Sequence, residues 1–183
     1  YALATWLSSL GAHVVWSDLD ANRLSALQDE ANPKTTGLYL PADVTQADQV
    51  QSLIEQAHGR FGRIDYLFNN AGISGLLPIE RATATHWENI LAINLWGVIY
   101  GVQFVLPIMK AQRSGHIVNT ASISGLLPFP GQALYVTSKH AVVGFSESLR
   151  HELAADGIFV SVACPGAVVT DIWSKSLDGA ITP

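Results

Sequence analysis

The chain predicts the α/β class, a parallel sheet doubly wound by helices, and three observations carry that prediction. Short β-branched runs alternate with longer helical stretches along its whole length. The first strand-like run holds apolar residues on consecutive positions, Val14-Val15-Trp16, which suits a strand covered on both faces rather than one with a solvated side. Each strand-like run is followed at its carboxyl end by polar or turn-forming residues, and that end is where open α/β sheets bind their ligands.

In chain order, Tyr1-Ala-Leu-Ala-Thr-Trp-Leu reads as the body of a helix. His13 to Ser17 forms the first strand and delivers Asp18. Gly37 to Leu40 forms the second, followed by Asp43-Val44 and a helix beginning near Gln46. Ile64 to Phe68 leads into Asn69-Asn70-Ala71-Gly72. Gly115 to Thr120 leads to Ser122, and Ile158 to Ala163 leads to Pro165-Gly166. Helical stretches fill the gaps, with a spacing that suits right-handed crossovers. With no repeat, linker or low-complexity segment, residues 1–183 read as a single domain.

Composition narrows the function. The chain is 49% hydrophobic and 14% charged, which is globular rather than disordered. A net charge of -5 without a Lys/Arg cluster argues against nucleic acid or an anionic membrane as partner and leaves a small molecule. The single cysteine, Cys164, permits no internal disulfide, and with no signal-peptide pattern the expected location is cytoplasmic. The six histidines show no paired ligand spacing, so no metal site is expected. Ile90 to Met109 is twenty residues without a charge and contains Gly97-x-x-x-Gly101, the length of a membrane span. Asn94, Gln103 and Pro107 interrupt it, and the preferred reading is a helix buried by its own sheet and a partner subunit, the glycines allowing close approach.

The chemistry concentrates in Tyr135-Val-Thr-Ser-Lys139, with Ser122 thirteen residues before Tyr135. Four-residue spacing puts the phenol and the ammonium on one helix face. There the cation is expected to lower the phenol pKa from about 10 towards a useful range. Ser122 adds a hydroxyl for the same substrate oxygen, with Ser124 as its nearby rival. Taken alone, the Tyr/Lys pair also fits an ordinary helix-surface contact.

These residues together resemble the classical short-chain dehydrogenases/reductases. The matching features are Asp43-Val44, Asn69-Asn70-Ala71-Gly72, Asn94 in Ile-Asn-Leu-Trp-Gly, Ser122, Tyr135-x-x-x-Lys139 and Pro165-Gly-x-Val-x-Thr170. The resemblance implies a Rossmann-type three-layer αβα fold and hydride transfer between a nicotinamide cofactor and an alcohol or carbonyl. It implies Tyr135 as general acid/base, Lys139 lowering its pKa and holding the ribose, Ser122 polarising the substrate oxygen, and Asn94 kinking its helix and holding water. Asp18 is to accept from the adenosine ribose hydroxyls, which favours NAD over NADP. Asp43 and Val44 are to border the adenine; Asn70, Ala71 and Gly72 pass the adenosine ribose. Pro165, Gly166, Val168 and Thr170 are to meet the nicotinamide end. Asp18 and Asp43 each also read as turn or helix-capping residues.

The sequence departs from the family pattern at its ends. The glycine-rich Thr-Gly-x-x-x-Gly-x-Gly loop is absent before Tyr1, and the match stops soon after Thr170. The expectation is therefore a sheet incomplete at both ends, lacking a central strand between those ending near Asp18 and Phe68, in a fragment of a longer enzyme. Ile73 to Leu77 and Leu126 to Phe129 are mainly apolar and predict a hydrophobic secondary alcohol or ketone. The helices over Ile90 to Met109 and from Tyr135 towards His151 imply, by the resemblance, a homodimer or homotetramer. The rival reading is a non-catalytic nucleotide-binding or scaffold protein of the same fold.

Overall fold

The computed structural model describes residues 2–30, 37–168 and 172. Its elements are α1 (Ala2–Ser9), β1 (Val14–Asp18), α2 (Ala21–Glu30), β2 (Gly37–Pro41), α3 (Ala47–Phe61), β3 (Tyr66–Asn69), α4 (Ala84–Leu91), α5 (Gly97–Gln112), β4 (Gly115–Thr120), α6 (Ala133–Leu153) and β5 (Ile158–Ala163). All pairings are parallel. The β1–β2 pair runs from Val14 opposite Gly37 to Asp18 opposite Pro41; β4 lies between β3 and β5, with Tyr66 opposite His116 and Gly115 opposite Ile158. This is a Rossmann-like arrangement. Among the described strands no ladder joins β1 to β3, so the sheet divides where the sequence placed its missing strand.

Two strands start later than predicted, β1 at Val14 and β3 at Tyr66. Ile64 lies outside β3 because the Gln112 side chain occupies its backbone: Ile64 N–H donates to Gln112 Oε1 at 2.8 Å, and Gln112 Nε2 donates to the Ile64 carbonyl at 2.9 Å. A primary amide there replaces one rung of the ladder. Pairing begins only where His116 N–H reaches the Asp65 carbonyl at 2.9 Å.

The core lies under one face of the three-stranded sheet. Ile54 and Ala57 of α3, Val102, Val105 and Met109 of α5, and Leu149 and Leu153 of α6 close on Ile117, Ile158 and Val160. The opposite face carries Tyr66 and Phe159, both exposed, with His116 between them at ring-centroid distances of 5.6 and 6.0 Å. Two-sided coverage, expected from the strand pattern, is thus met on one face only among the described residues.

Beneath the strand ends a polar group crosses the core. Asn69 Nδ2 donates to Asn119 Oδ1 at 2.9 Å, and Asn119 Nδ2 donates to Ser146 Oγ at 2.9 Å. Asn119 and Ser146 are fully buried, and this chain joins β3, β4 and α6.

The long apolar segment is one helical run from Ala84 to Gln112, the only one among the described residues long and apolar enough to cross a membrane. It continues through Pro107, and its irregularity is a π turn over Ala92–Trp96. Val98, Val102, Val105 and Met109 are buried. The two glycines meet the chain itself rather than a partner: Gly97 faces Val44 and Gly101 faces the Asn69 side chain. Trp96, Tyr100 and Phe104 make an aromatic stripe along the helix, with Trp96 exposed.

Candidate active site

β4 releases the chain at Thr120, and Ser122, extended at φ -169° and ψ 166°, caps a short 3-10 turn over Ile123–Gly125. Its Oγ accepts from the Ser124 N–H at 3.1 Å. That turn lies hard against α6, because a Cβ on Gly125 would come within 2.8 Å of the Lys139 carbonyl oxygen and 2.9 Å of Val143 Cγ2. Only glycine permits the approach. It brings Ser122 to Tyr135 in the first turn of α6, with Lys139 one turn on, and Tyr135 and Lys139 are only 8% and 3% exposed.

The electrostatic balance differs from the sequence expectation. Burial raises the Tyr135 pKa above its ordinary value, and hydrogen bonding with Ser122 opposes that rise. Lys139 Nζ lies over the Tyr135 ring, 5.6 Å from its centroid, and donates to the Thr120 carbonyl at 3.1 Å. Burial pushes the ammonium down to about 8, partly offset by Cys164. The predicted acidification of the phenol by the lysine is therefore not the dominant effect in this structure. The amine is over the ring and bonded to a carbonyl, and desolvation outweighs it.

Asn94, fully buried, belongs to the π turn. Its Oδ1 accepts from the Ile73 N–H at 2.8 Å, while Nδ2 donates to the Ile73 carbonyl at 3.0 Å and to Ser138 Oγ at 3.1 Å. Ser138 donates in turn to the Tyr135 carbonyl at 2.8 Å. The side chain thus fastens the segment after β3 to α6, and a wide turn with extra room is the local device that admits it. Sequence reading missed Ser138. The signal was present: it lies three residues after Tyr135, on the buried face of the same helix.

The remaining candidates gather at the strand ends. Asp18, half-buried, accepts from the Asp20 N–H through Oδ1 at 3.1 Å, whereas Asp20 caps α2 by accepting from Asn22 and Arg23 at 3.0 and 3.2 Å. The cap is Asp20, not Asp18. Asp43 holds its own turn, accepting from the Thr45 N–H at 2.9 Å and the Thr45 hydroxyl at 2.8 Å, while Gln46 is the N-cap residue of α3. Val44 packs on Gly97. Asn70 accepts from the Thr120 hydroxyl at 3.2 Å, and Ala71 beside it is exposed. A Cβ on Gly72 would lie 3.3 Å from Asn94 Oδ1 and 3.4 Å from Lys139 Nζ. Pro165 accepts from the Ile123 N–H at 2.8 Å, Gly166 borders open space and Val168 is exposed. Thr170 lies outside the described residues.

This donor and acceptor set fits a dinucleotide. It offers a carboxylate oxygen of Asp18 not taken by Asp20, uncovered glycine backbone at Gly166, a Gly72 backbone that lies beside the Lys139 amine, and two Lys139 N–H groups besides the one on Thr120. Beyond Ser122, the exposed side chains of Leu76, Leu126, Leu127 and Phe129 form an apolar rim, tied together where Leu77 N–H donates to the Gly131 carbonyl at 2.9 Å.

A family model described as short chain dehydrogenase matches residues 1–180. Levodione reductase from Leifsonia aquatica is 37% identical over 180 residues, covering 96% of this chain and 67% of that protein. A crystal structure of levodione reductase superposes with a TM-score of 0.89 at 38% identity, covering 93% of this chain and 68% of the other. A short chain dehydrogenase/reductase from Burkholderia phymatum in complex with NAD gives 0.87 at 36% identity, over 97% and 63%. A metagenomic short-chain oxidoreductase in complex with NADP gives 0.85 at 30% identity, over 91% and 76%. The chain spans about two thirds of the length of most of these relatives.

Proposed function

Because this chain belongs to the short-chain dehydrogenase/reductase family of oxidoreductases, we propose that it transfers hydride between NAD(H) and a secondary alcohol or ketone, with Tyr135 as general acid/base. The observation that carries this reading is the convergence of Ser122, Tyr135 and Lys139 where β4 meets α6. A bound nicotinamide coenzyme supplies the hydride chemistry. Tyr135 gives its proton to the carbonyl oxygen in reduction, or takes the hydroxyl proton in oxidation. Ser122, fixed by the Ser124 N–H, orients that oxygen. Lys139 offers the ribose hydroxyls the N–H groups not used on Thr120, and its charge over the ring favours the phenolate as the hydroxyl ionises. Asn94 and Ser138 hold the segment after β3 and α6 at the separation this requires.

NAD is the preferred coenzyme over NADP in this reading, since the open Asp18 oxygen accepts from ribose hydroxyls and repels a 2′-phosphate. Asp43, Val44, Asn70, Ala71 and Gly72 border the adenosine half. Pro165, Gly166 and Val168 border the nicotinamide half. The apolar rim suits a largely hydrophobic small-molecule substrate. We read the chain as one domain of a cytoplasmic homo-oligomer, the Trp96–Tyr100–Phe104 stripe being the face a second copy would cover.

Replacing Tyr135 by Phe tests the assignment. Coenzyme-dependent turnover of secondary alcohols should fall by about a hundredfold or more, while coenzyme affinity by fluorescence titration changes little. Turnover retained at the wild-type rate overturns it.

A further inference from the structure

Gln132 stands immediately before α6, three residues ahead of Tyr135, with a non-helical backbone at φ -122° and ψ 24°. Its N–H donates to the Phe129 carbonyl at 3.3 Å, and its carbonyl accepts from the Val136 N–H at 2.8 Å, so the main chain is held on both sides. The side chain reaches the Ser122 turn. There Ser124 Oγ donates to Gln132 Oε1 at 3.4 Å, and the Ser124 N–H donates to Ser122 Oγ. A run of two hydrogen bonds through one buried serine therefore connects the Gln132 amide to the oxygen that would face the reacting carbon–oxygen bond.

Only half of that amide is used. Gln132 Nε2 has no protein partner among the described residues. Among the described residues no fully buried side-chain nitrogen or oxygen lacks one, so the NH2 group keeps some contact with solvent. Around it the rim is apolar, with Leu126 and Leu127 53% and 52% exposed and Phe129 39% exposed. A wholly apolar substrate closing this mouth would strip water from the amide and return nothing. A substrate with an acceptor oxygen at that point would satisfy it, and a site built around such a bond discriminates against analogues that lack it.

We propose that Gln132, oriented by Ser124, recognises a second acceptor oxygen of the substrate, a carbonyl, ester or carboxylate oxygen within a few bonds of the carbon that exchanges hydride. The substrate class is then an oxo-acyl or dicarbonyl compound and its hydroxy counterpart, rather than a plain ketone. This rests on the oxidoreductase reading above, because it is that reading which sets Ser122 against the reacting oxygen.

The test compares ethyl acetoacetate with heptan-2-one, compounds of equal chain length that differ in the ester. In the protein with Gln132→Leu, kcat/KM should fall at least about tenfold further for the ester than for the ketone. Gln132→Glu, which keeps the side-chain length and the helix entry but replaces the NH2 with a carboxylate oxygen, should move the ratio the same way. A ratio of the two substrates that shifts by less than threefold in both variants overturns the proposal. Saturation-transfer NMR separates it from the reading beneath it. If the wild-type protein binds the ester in preference and Gln132→Leu abolishes that preference, recognition of the acceptor oxygen by Gln132 stands as a binding property even where no alcohol or carbonyl is turned over, and in that case it is the hydride-transfer part of the reading that falls. If both proteins bind the two compounds alike, this inference falls whatever the turnover.

Discussion

Asn69 and Asn119 share a hydrogen bond across the β3–β4 ladder, 2.9 Å from Nδ2 to Oδ1, directly beneath the strand ends that carry the candidate site. Asn119 also donates to Ser146 of α6, so one buried amide fixes the angle between the strand leading to Ser122 and the helix carrying Tyr135. Replacing Asn119 by Ala leaves the Asn69 NH2 and the Ser146 hydroxyl without these partners. The expected loss of stability is roughly 2–4 kcal/mol, from unmade buried hydrogen bonds and a cavity. Urea unfolding measures it, and a loss below about 0.5 kcal/mol would show the network to be structurally idle.

Gly125 offers a sharper probe of the site. A methyl there meets the Lys139 carbonyl and Val143, so Gly125→Ala must push the Ser122 turn away from α6. Turnover should drop by at least about tenfold, since sub-ångström misplacement of a reacting group is costly. Coenzyme affinity should stay within a few-fold. Steady-state kinetics beside a binding titration reads both, and unchanged kcat would contradict the close packing.

The buried ammonium predicts a pH signature. Lys139 titrates at about 8 in the folded chain against an ordinary value of 10.5, so the unfolded chain binds more protons between those values and stability rises with pH across that window. The gain from pH 8 to 10 should be roughly 2 kcal/mol. Above pH 10 the raised Tyr135 pKa acts in the opposite sense, because the unfolded phenol ionises first. Chemical denaturation at several pH values should show the rise in the wild-type chain and lose it in Lys139→Met. A stability that falls steadily from pH 8 would refute the assignment.

Asp18→Asn removes the negative charge while keeping an acceptor oxygen for the Asp20 N–H. The NAD/NADP ratio of kcat/KM should shift towards NADP by about tenfold or more, the scale of one lost charge repulsion. An unaltered ratio would exclude Asp18 from coenzyme selection.

Much of this site was legible in the sequence because its signals are local. Five strand ends carry the expected residues, and Ser122, the serine thirteen residues ahead of Tyr135, is the one hydrogen-bonded with it. What escaped was tertiary. The late start of β3 comes from Gln112, forty-eight residues away, and no propensity of Ile64 foretells it. The Asn69–Asn119 pair spans fifty residues. The inverted pKa balance at Tyr135 follows from burial, which spacing along a helix does not encode. Gln132 was overlooked for another reason: nothing in its spacing foretells the bond from Ser124, which depends on how the turn after β4 packs against α6.

The π turn at Ala92–Trp96 amounts to one residue inserted into an otherwise regular rod, and each residue advances the rod by about 100°. Everything after it is therefore out of phase with everything before. In this setting Gly97 and Gly101 point towards Val44 and Asn69, and the three aromatic rings point away. Excising a single residue from the turn would rotate the second half of the rod, drive ring-bearing positions against the Asn69 amide and strip Asn94 of its place beside Ile73. The insertion is the ratchet that keeps the interior small and the outer stripe aromatic.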